Sequence, residues 1–180
     1  MMDPSRSRCP GATPLDANRC QFRVWAPRIE RIEVQYVSPG RKRFPLKKDD
    51  AGYHYGCAEG VAARSRYFYL LDGIKERPDP ASRFQPEGVH GPSQVIDGGF
   101  AWKDNGWKGI ELRDFVIYEL HVGTYTEAGT FDSLIGHLPD LKDLGITAVE
   151  LMPVGQFPGG RNWGYDGVYP FAVQNSYGGP

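Results

Sequence analysis

The sequence predicts two regions of different architecture, an antiparallel β-sandwich followed by a strand, helix, strand unit built on a parallel sheet. Three observations predict it. From Arg19 to about Val95, short runs that alternate apolar and polar residues recur between turn residues. From Phe115 onward, two nearly continuous apolar runs flank a stretch whose apolar residues fall at offsets of three and four. The 180 residues include 23 Gly and 15 Pro against 40% hydrophobic and 24% charged residues, the balance of a globular chain with many turns.

In the first region "CQFRVWAP" sets Phe22, Val24 and Ala26 against Gln21, Arg23 and Trp25 and stops at Pro27. "RIEVQYV" repeats the alternation with Ile32, Val34 and Tyr36. A third run, "YHYGCAE", follows the turn "DDAG", and "SRYFYLLDG" is a fourth that ends on the hairpin pair Asp72-Gly73. Strands of this length, with no helical stretch among them, bury their apolar faces by stacking as two sheets.

In the second region "FVIYELHV" and "ITAVELMPV" read as strands covered on both faces. Between them "TFDSLIGHLPDLKDLG" carries Phe131, Leu134, Ile135, Leu138, Leu141 and Leu144 at helical spacing. Thr130 or Asp132 suits its N-cap, Gly145 its C′ position, and Pro139 predicts a kink or a break into two short helices. The expected organisation is an unordered N-terminus over 1–14, a sandwich over 15–96, a linker over 97–113 and the parallel unit over 114–180. Phe100, Trp102 and Trp107 in the linker are expected to pack into the seam between the two regions.

Charge and composition exclude several classes of function. A net charge of -1 supplies no footprint for phosphate backbones, so nucleic acid is not expected as a partner. No segment approaches 18 apolar residues and the first residues lack a secretory apolar core, so no membrane association and a cytoplasmic location are expected. Cys9, Cys20 and Cys57 have no paired spacing, and His54, His90 and His137 are scattered, so neither disulfide nor metal is proposed. No glycine pattern for a nucleotide follows a strand, and no cofactor is expected.

The stretch "RNWGYDGVYPFAVQNSYGG" holds five aromatic rings and four glycines in nineteen residues without strand or helix periodicity. It follows the second parallel strand, at the carboxyl end of the sheet, where α/β folds bind ligands. Tyr and Trp offer flat apolar faces with a polar edge, matching the C–H faces and hydroxyl rims of a sugar. Trp163, Tyr169 and Phe171 equally suit plugs for the mouth of the fold. Asp166 suits either substrate hydroxyls or the loop's own backbone. Glu119 and His121 share one face of the first strand, and Glu150 lies in the second. All three are read as buried groups satisfied by hydrogen bonds rather than as acids and bases.

The span from "DFVIYELHVG" through "ELMPVGQFPGGRNWGYDGVYP" resembles the opening of the catalytic barrel in the α-amylase superfamily of glycoside hydrolases. "FRVWAP", "YLLDG" and "RPDPASRFQPEGVHGPSQV" are similar to its trehalohydrolase branch, and branching and debranching enzymes share the "YELHVG" and "NWGYD" segments. The resemblance implies an immunoglobulin-like early-set sandwich followed by a (β/α)8 TIM barrel, of which this chain holds only the first strands and helix. It implies an α-glucan or maltooligosyltrehalose as partner, with Tyr165 stacked on a sugar and Trp163 and Asp166 lining the same pocket. A retaining glycosidase needs two carboxyl groups about 5 Å apart, and the family carries them on later strands, so no catalytic residue is assigned within 1–180. The chain alone is therefore expected to be inactive. The alternatives are a fragment of a glycogen branching or debranching enzyme, or a non-catalytic glucan-binding sandwich in which Trp25 is the ring outside the apolar face of its strand.

Overall fold

The computed structural model describes residues 9–38 and 40–180. Among the described residues nine strands come first: Gly11–Pro14 (β1), Arg19–Trp25 (β2), Ile32–Ser38 (β3), Lys42–Pro45 (β4), Lys47–Lys48 (β5), Tyr53–Glu59 (β6), Arg66–Leu71 (β7), Lys75–Arg77 (β8) and Ser93–Gln94 (β9). They form one sheet in the order β1-β2-β6-β5 and a second in the order β4-β3-β7-β8, with β9 also on β7. Every pairing in both sheets is antiparallel. Cys20, Phe22 and Val24 from one sheet share a buried cluster with Ile32, Val34, Tyr36, Tyr67 and Tyr69 from the other, which makes the pair a sandwich.

All four runs read from alternation are strands. At the turn after β7, Asp72 and Gly73 both take positive φ, as a tight hairpin requires. The strands without such a signal lie at or near the edges. β1 is "GATP", β4 "KRFP" and β5 "KK", and Lys, Arg and Pro on an edge protect its unpaired backbone while erasing the alternation. The unordered N-terminus expected over 1–14 is corrected for Gly11–Pro14, which pairs along β2 and buries Ala12. The first eight of those residues lie outside the described residues.

The sandwich core is aromatic. Phe22 meets Tyr67 edge-on at 5.0 Å and Tyr36 at 6.2 Å, and Tyr67 meets Tyr69 at 5.8 Å. Such contacts add about 0.5–1.5 kcal/mol each beyond area burial. Tyr67 and Tyr69 are two residues apart on β7 and so face the same side. Their hydroxyls both donate to Asp79 Oδ2, at 2.7 and 3.1 Å. Asp79 is fully buried and also accepts from the Ala81 amide, while its own amide donates to Ser93 Oγ. Burial pushes its carboxyl above the ordinary Asp value, against the opposing pull of the hydrogen bonds from Tyr67, Ala81 and Tyr69.

The second region runs Ile117–Leu120 (β10), Val122–Tyr125 (α1), Phe131–Ile135 (α2), Leu138–Asp143 (α3), Ala148–Leu151 (β11), Gly155–Gln156 (β12) and Tyr169–Val173 (β13). β10 and β11 pair in parallel, with Tyr118 opposite Val149 and Leu120 opposite Leu151. Thr130 caps α2, accepting from the Ser133 amide in a capping box. Pro139 breaks the helical stretch as its missing N–H requires and opens α3. Gly145, at φ +96, ends α3: its amide donates to Lys142 O and that of Ile146 to Leu141 O, the paired bonds of a Schellman turn.

Two expectations about this region are corrected. The first strand stops at Leu120, and Val122 begins a helical turn. Neither strand is covered on both faces: Phe115, Val116, Ile117, Val149 and Leu151 are exposed. Only Leu120 of β10 reaches a buried cluster, with Leu134, Leu141, Phe157 and Tyr177. Two strands and three short helices supply too little surface to cover a parallel sheet. Phe100, Trp102 and Trp107 are 69–73% exposed, which corrects their expected place in a seam; Phe100 and Trp102 pack on each other at 4.7 Å. Among the described residues no helix is long and apolar enough to cross a membrane.

Replacing Asp79 by Ala strands two buried tyrosine hydroxyls and an amide, and should cost about 3 kcal/mol or more in urea unfolding. Burial likewise raises the hydroxyls of Tyr67 and Tyr69 well above their ordinary value of 10.0. Their contribution is therefore complete below about pH 10 and falls as pH rises beyond it, which alkaline unfolding followed by circular dichroism will register. The buried Cys20 thiol is pushed up to about 12 by desolvation, so at pH 8 a thiol reagent should modify exposed Cys9 rapidly and Cys20 only after unfolding.

Candidate functional site

The aromatic loop is the excursion between β12 and β13. Its base is closed by the Val168 amide donating to Gln156 O, and buried glutamines brace it from behind. Gln174 accepts from the Phe157 amide at 3.0 Å, and Gln156 accepts from the Asn175 amide at 2.9 Å. The loop stands beside the ends of the parallel strands because Gly164 lies against Pro153. A Cβ on Gly164 would fall 2.0 Å from the Pro153 carbonyl oxygen, and its φ is +98, so glycine alone fits there.

Within the loop Asn162 is a bracket. Its Oδ1 accepts from the Gly164 amide at 2.7 Å, and its Nδ2 donates to Asp166 Oδ2 at 2.8 Å. One side chain thus closes the turn that carries Trp163 and ties it to the carboxylate that follows Tyr165. With both loop ends fixed, the two rings project outward: Trp163 is 74% exposed and Tyr165 67%.

A cleft of about 450 Å³ opens beside Trp163, lined among others by His121, Thr124, Arg161 and Asn162. His121 follows β10 directly. Its Nε2 lies 2.7 Å from the Asn162 carbonyl oxygen and 3.0 Å from the Tyr177 hydroxyl.

The predicted residues therefore divide. Trp163 lies on the cleft, Tyr165 and Asp166 occupy the same braced turn, and Asp166 accepts from the Asn162 side chain rather than from loop backbone. Of the rings equally suited as plugs, Tyr169 is one: it is buried and donates to Val89 O at 2.9 Å. Phe171 and Trp163 are exposed. Glu119 and Glu150 face each other across the parallel pair but are exposed, which corrects the reading of both as buried groups. His121 is hydrogen-bonded, as read, but it is half-buried and lies just past the end of β10 rather than buried within it. Trp25 is 61% exposed, with its indole N–H donated to Ala51 O.

Asn162, Arg161 and Thr124 were not singled out by sequence. The available signal was Asn two residues before a glycine in a loop, the pattern of a side chain closing its own turn. Chemically the site offers one flat face, an amide and a guanidinium on an open cleft, with the ring of Tyr165 and the carboxylate of Asp166 on the turn that adjoins it. That combination suits a neutral polyhydroxylated ligand. Among the described residues no group of three or more His, Cys, Asp or Glu is arranged to hold a metal ion.

No family model matches the chain. A malto-oligosyltrehalose trehalohydrolase of Saccharolobus solfataricus is 48% identical over 166 residues, 92% of this chain and 29% of that protein. One of Deinococcus radiodurans is 41% identical, over 94% of this chain and 28% of that protein. By sequence, this chain is a relative of the malto-oligosyltrehalose trehalohydrolases. It spans less than a third of the length of these curated relatives. A 1,4-alpha-glucan branching enzyme GlgB of Burkholderia cenocepacia is 30% identical over 94% of the chain and 27% of its own length. Among solved structures, a putative alpha amylase from Salmonella typhimurium superposes with a TM-score of 0.86 at 38% identity, over 93% of this chain and 28% of that one. A pullulanase from Anoxybacillus sp. LM18-11, complexed with maltotriose, gives 0.77 at 23% identity over 96% of this chain and 29% of that one, a likeness of fold. The fold of this chain, its β-sandwich included, is thus found in solved structures of a putative alpha amylase and a pullulanase.

Replacing Gly164 by Ala should release the loop, since both the positive φ and the Pro153 carbonyl oppose a Cβ. Tryptic cleavage after Arg161 is expected to accelerate about tenfold or more, while a sandwich cleavage site keeps its rate.

Proposed function

We propose that this chain is the N-terminal part of a retaining α-glycoside hydrolase that cleaves the α-1,4 bond next to the trehalose end of maltooligosyltrehalose and releases trehalose. The observation that carries the reading is the braced turn with Trp163 and Tyr165 outward, Trp163 on an open cleft, in a chain 48% identical to a trehalohydrolase over 166 residues. In this reading the early-set sandwich runs from Gly11 to residue 96, 97–113 is a linker and 114–180 the opening of a (β/α)8 barrel, in a cytoplasmic enzyme that needs no cofactor.

The ring of Tyr165 stacks on a glucose unit, Trp163 walls the cleft, and Asp166 accepts from sugar hydroxyls while Asn162 holds it in place. Stacking suits a pyranose because its axial C–H groups are apolar and its hydroxyls lie at the rim, where the ring edges and polar side chains wait. These residues bind and orient; none moves a proton. The two carboxyl groups of a retaining mechanism lie on segments beyond residues 1–180, so the chain by itself turns nothing over.

A protein expressed from the reading frame of this chain to its natural stop should release trehalose from maltooligosyltrehalose, and the 180-residue chain should release none. Glucan chain transfer without trehalose would assign the parent to branching enzymes instead. In the active protein Tyr165→Ala should lower kcat/KM about tenfold to a hundredfold, the loss of roughly 1.4–2.8 kcal/mol of stacking. The exposed, tethered Trp25 favours a second reading, a sandwich that binds glucan without catalysis. Maltoheptaose binding by the 180-residue chain that Trp25→Ala abolishes and Tyr165→Ala leaves intact would establish it.

A further inference from the structure

The aromatic loop is gripped from outside by one side chain. A carbonyl oxygen only accepts, so the 2.7 Å contact with Asn162 O requires the hydrogen of His121 to sit on Nε2. Nδ1 is then the acceptor, and Thr124 Oγ1 faces it at 3.3 Å. The Tyr177 hydroxyl oxygen, 3.0 Å from the same Nε2, shares the hydrogen. Every polar atom of the ring has a partner in one tautomer.

The imidazole is itself held rigidly. Tyr177 is 2% exposed, meets the His121 ring edge-on at 5.7 Å, and packs on Phe131 and Phe157. Gly123 makes this possible, because a Cβ there would stand 2.7 Å from Tyr177 Cε1 and 3.0 Å from His121 Cε1. The contacts run in series from the core ring of Tyr177 to His121, from His121 to the backbone of Asn162, and from the Asn162 side chain to Gly164 and Asp166.

We propose that His121 is a positioning residue for the sugar-binding turn: its Nε2–H fixes the Asn162 carbonyl and through it sets where Trp163 and Tyr165 present their faces. The sugar-binding part rests on the function proposed above; the positioning part rests on geometry alone. His121 touches no reacting atom in this scheme. Its effect is on binding rather than on the bond-breaking step.

Hydrogen exchange on the 180-residue chain tests the positioning without any carbohydrate. His121→Phe, which keeps a flat ring and removes the donor, should speed exchange of the Gly164 amide, held by Asn162 Oδ1, about tenfold or more, with the β2 and β6 amides unchanged. His121→Gln, whose amide N–H can reach where Nε2 stood, should return exchange towards the original rate. Should the Phe variant fail to fold, His121→Asn, too short to reach, against His121→Gln makes the same comparison. Unchanged exchange in the donorless variant overturns the proposal. In the protein expressed to its natural stop, His121→Phe should raise KM for maltooligosyltrehalose about tenfold with kcat within about twofold, and Gln should recover it. An exchange effect in a protein without trehalose release upholds the positioning and refutes the function. Trehalose release with no change in KM refutes the link between them.

Discussion

A carboxylate taken out of water organises this chain. Asp79 has no exposed surface, and the desolvation it suffers is offset only because two tyrosine hydroxyls and a backbone amide converge on it. Those tyrosines are also the centre of the sandwich core, so the acceptor and the core hold one another in place. Ser93, which takes the Asp79 amide, passes its own hydrogen to Gln85, and Gln85 donates to the carbonyls of Gly88 and Gly91. Residues 79–93 are thereby laid onto the sandwich as a fixed strap.

The strap is what the second region rests on. Phe84 bridges in parallel to Val173, the Val89 carbonyl takes the Tyr169 hydroxyl, and the Pro86 carbonyl takes the Asn175 amide group. Gly179 lets Phe84 close in, since a Cβ would lie 2.6 Å from its ring. β13 and the short helical turn after it therefore take their position from a segment anchored by Asp79. The aromatic loop runs into β13, so a buried hydrogen-bonded carboxyl in the sandwich reaches the candidate site through the strap and the side chains that dock on its carbonyls.

Against this well-tied half stands an open one. β10 and β11 leave apolar side chains in water on a parallel pair, an arrangement found in folded proteins only when both faces are covered. The exposed Phe100, Trp102 and Trp107 lie in the segment that leads to it. Relatives more than three times as long as the matched stretch have ample further chain to cover such a surface. The turn of the proposed site is braced through Asn162, Gly164 and Asp166, while the parallel pair beside it keeps its apolar side chains exposed.

Local rules were enough wherever the local environment decides conformation. Alternation in β2, β3, β6 and β7 found the sandwich because each of these strands has one face on the core; Pro139 split the helical stretch because a missing N–H cannot be compensated in place; Asp72-Gly73 turned because both tolerate positive φ. The aromatic loop was legible from composition, as a ring-rich stretch without period after a strand. Tertiary structure alone decided the rest. Edge strands β1, β4 and β5 owe their conformation to neighbours, not to a pattern of their own. Whether Tyr169 or Tyr165 is the buried ring depended on Val89, eighty residues away, and the hold of His121 on Asn162 spans forty-one. A sequence states which side chains can stack, donate or accept; which partner each one meets is fixed only when distant backbone closes the distance.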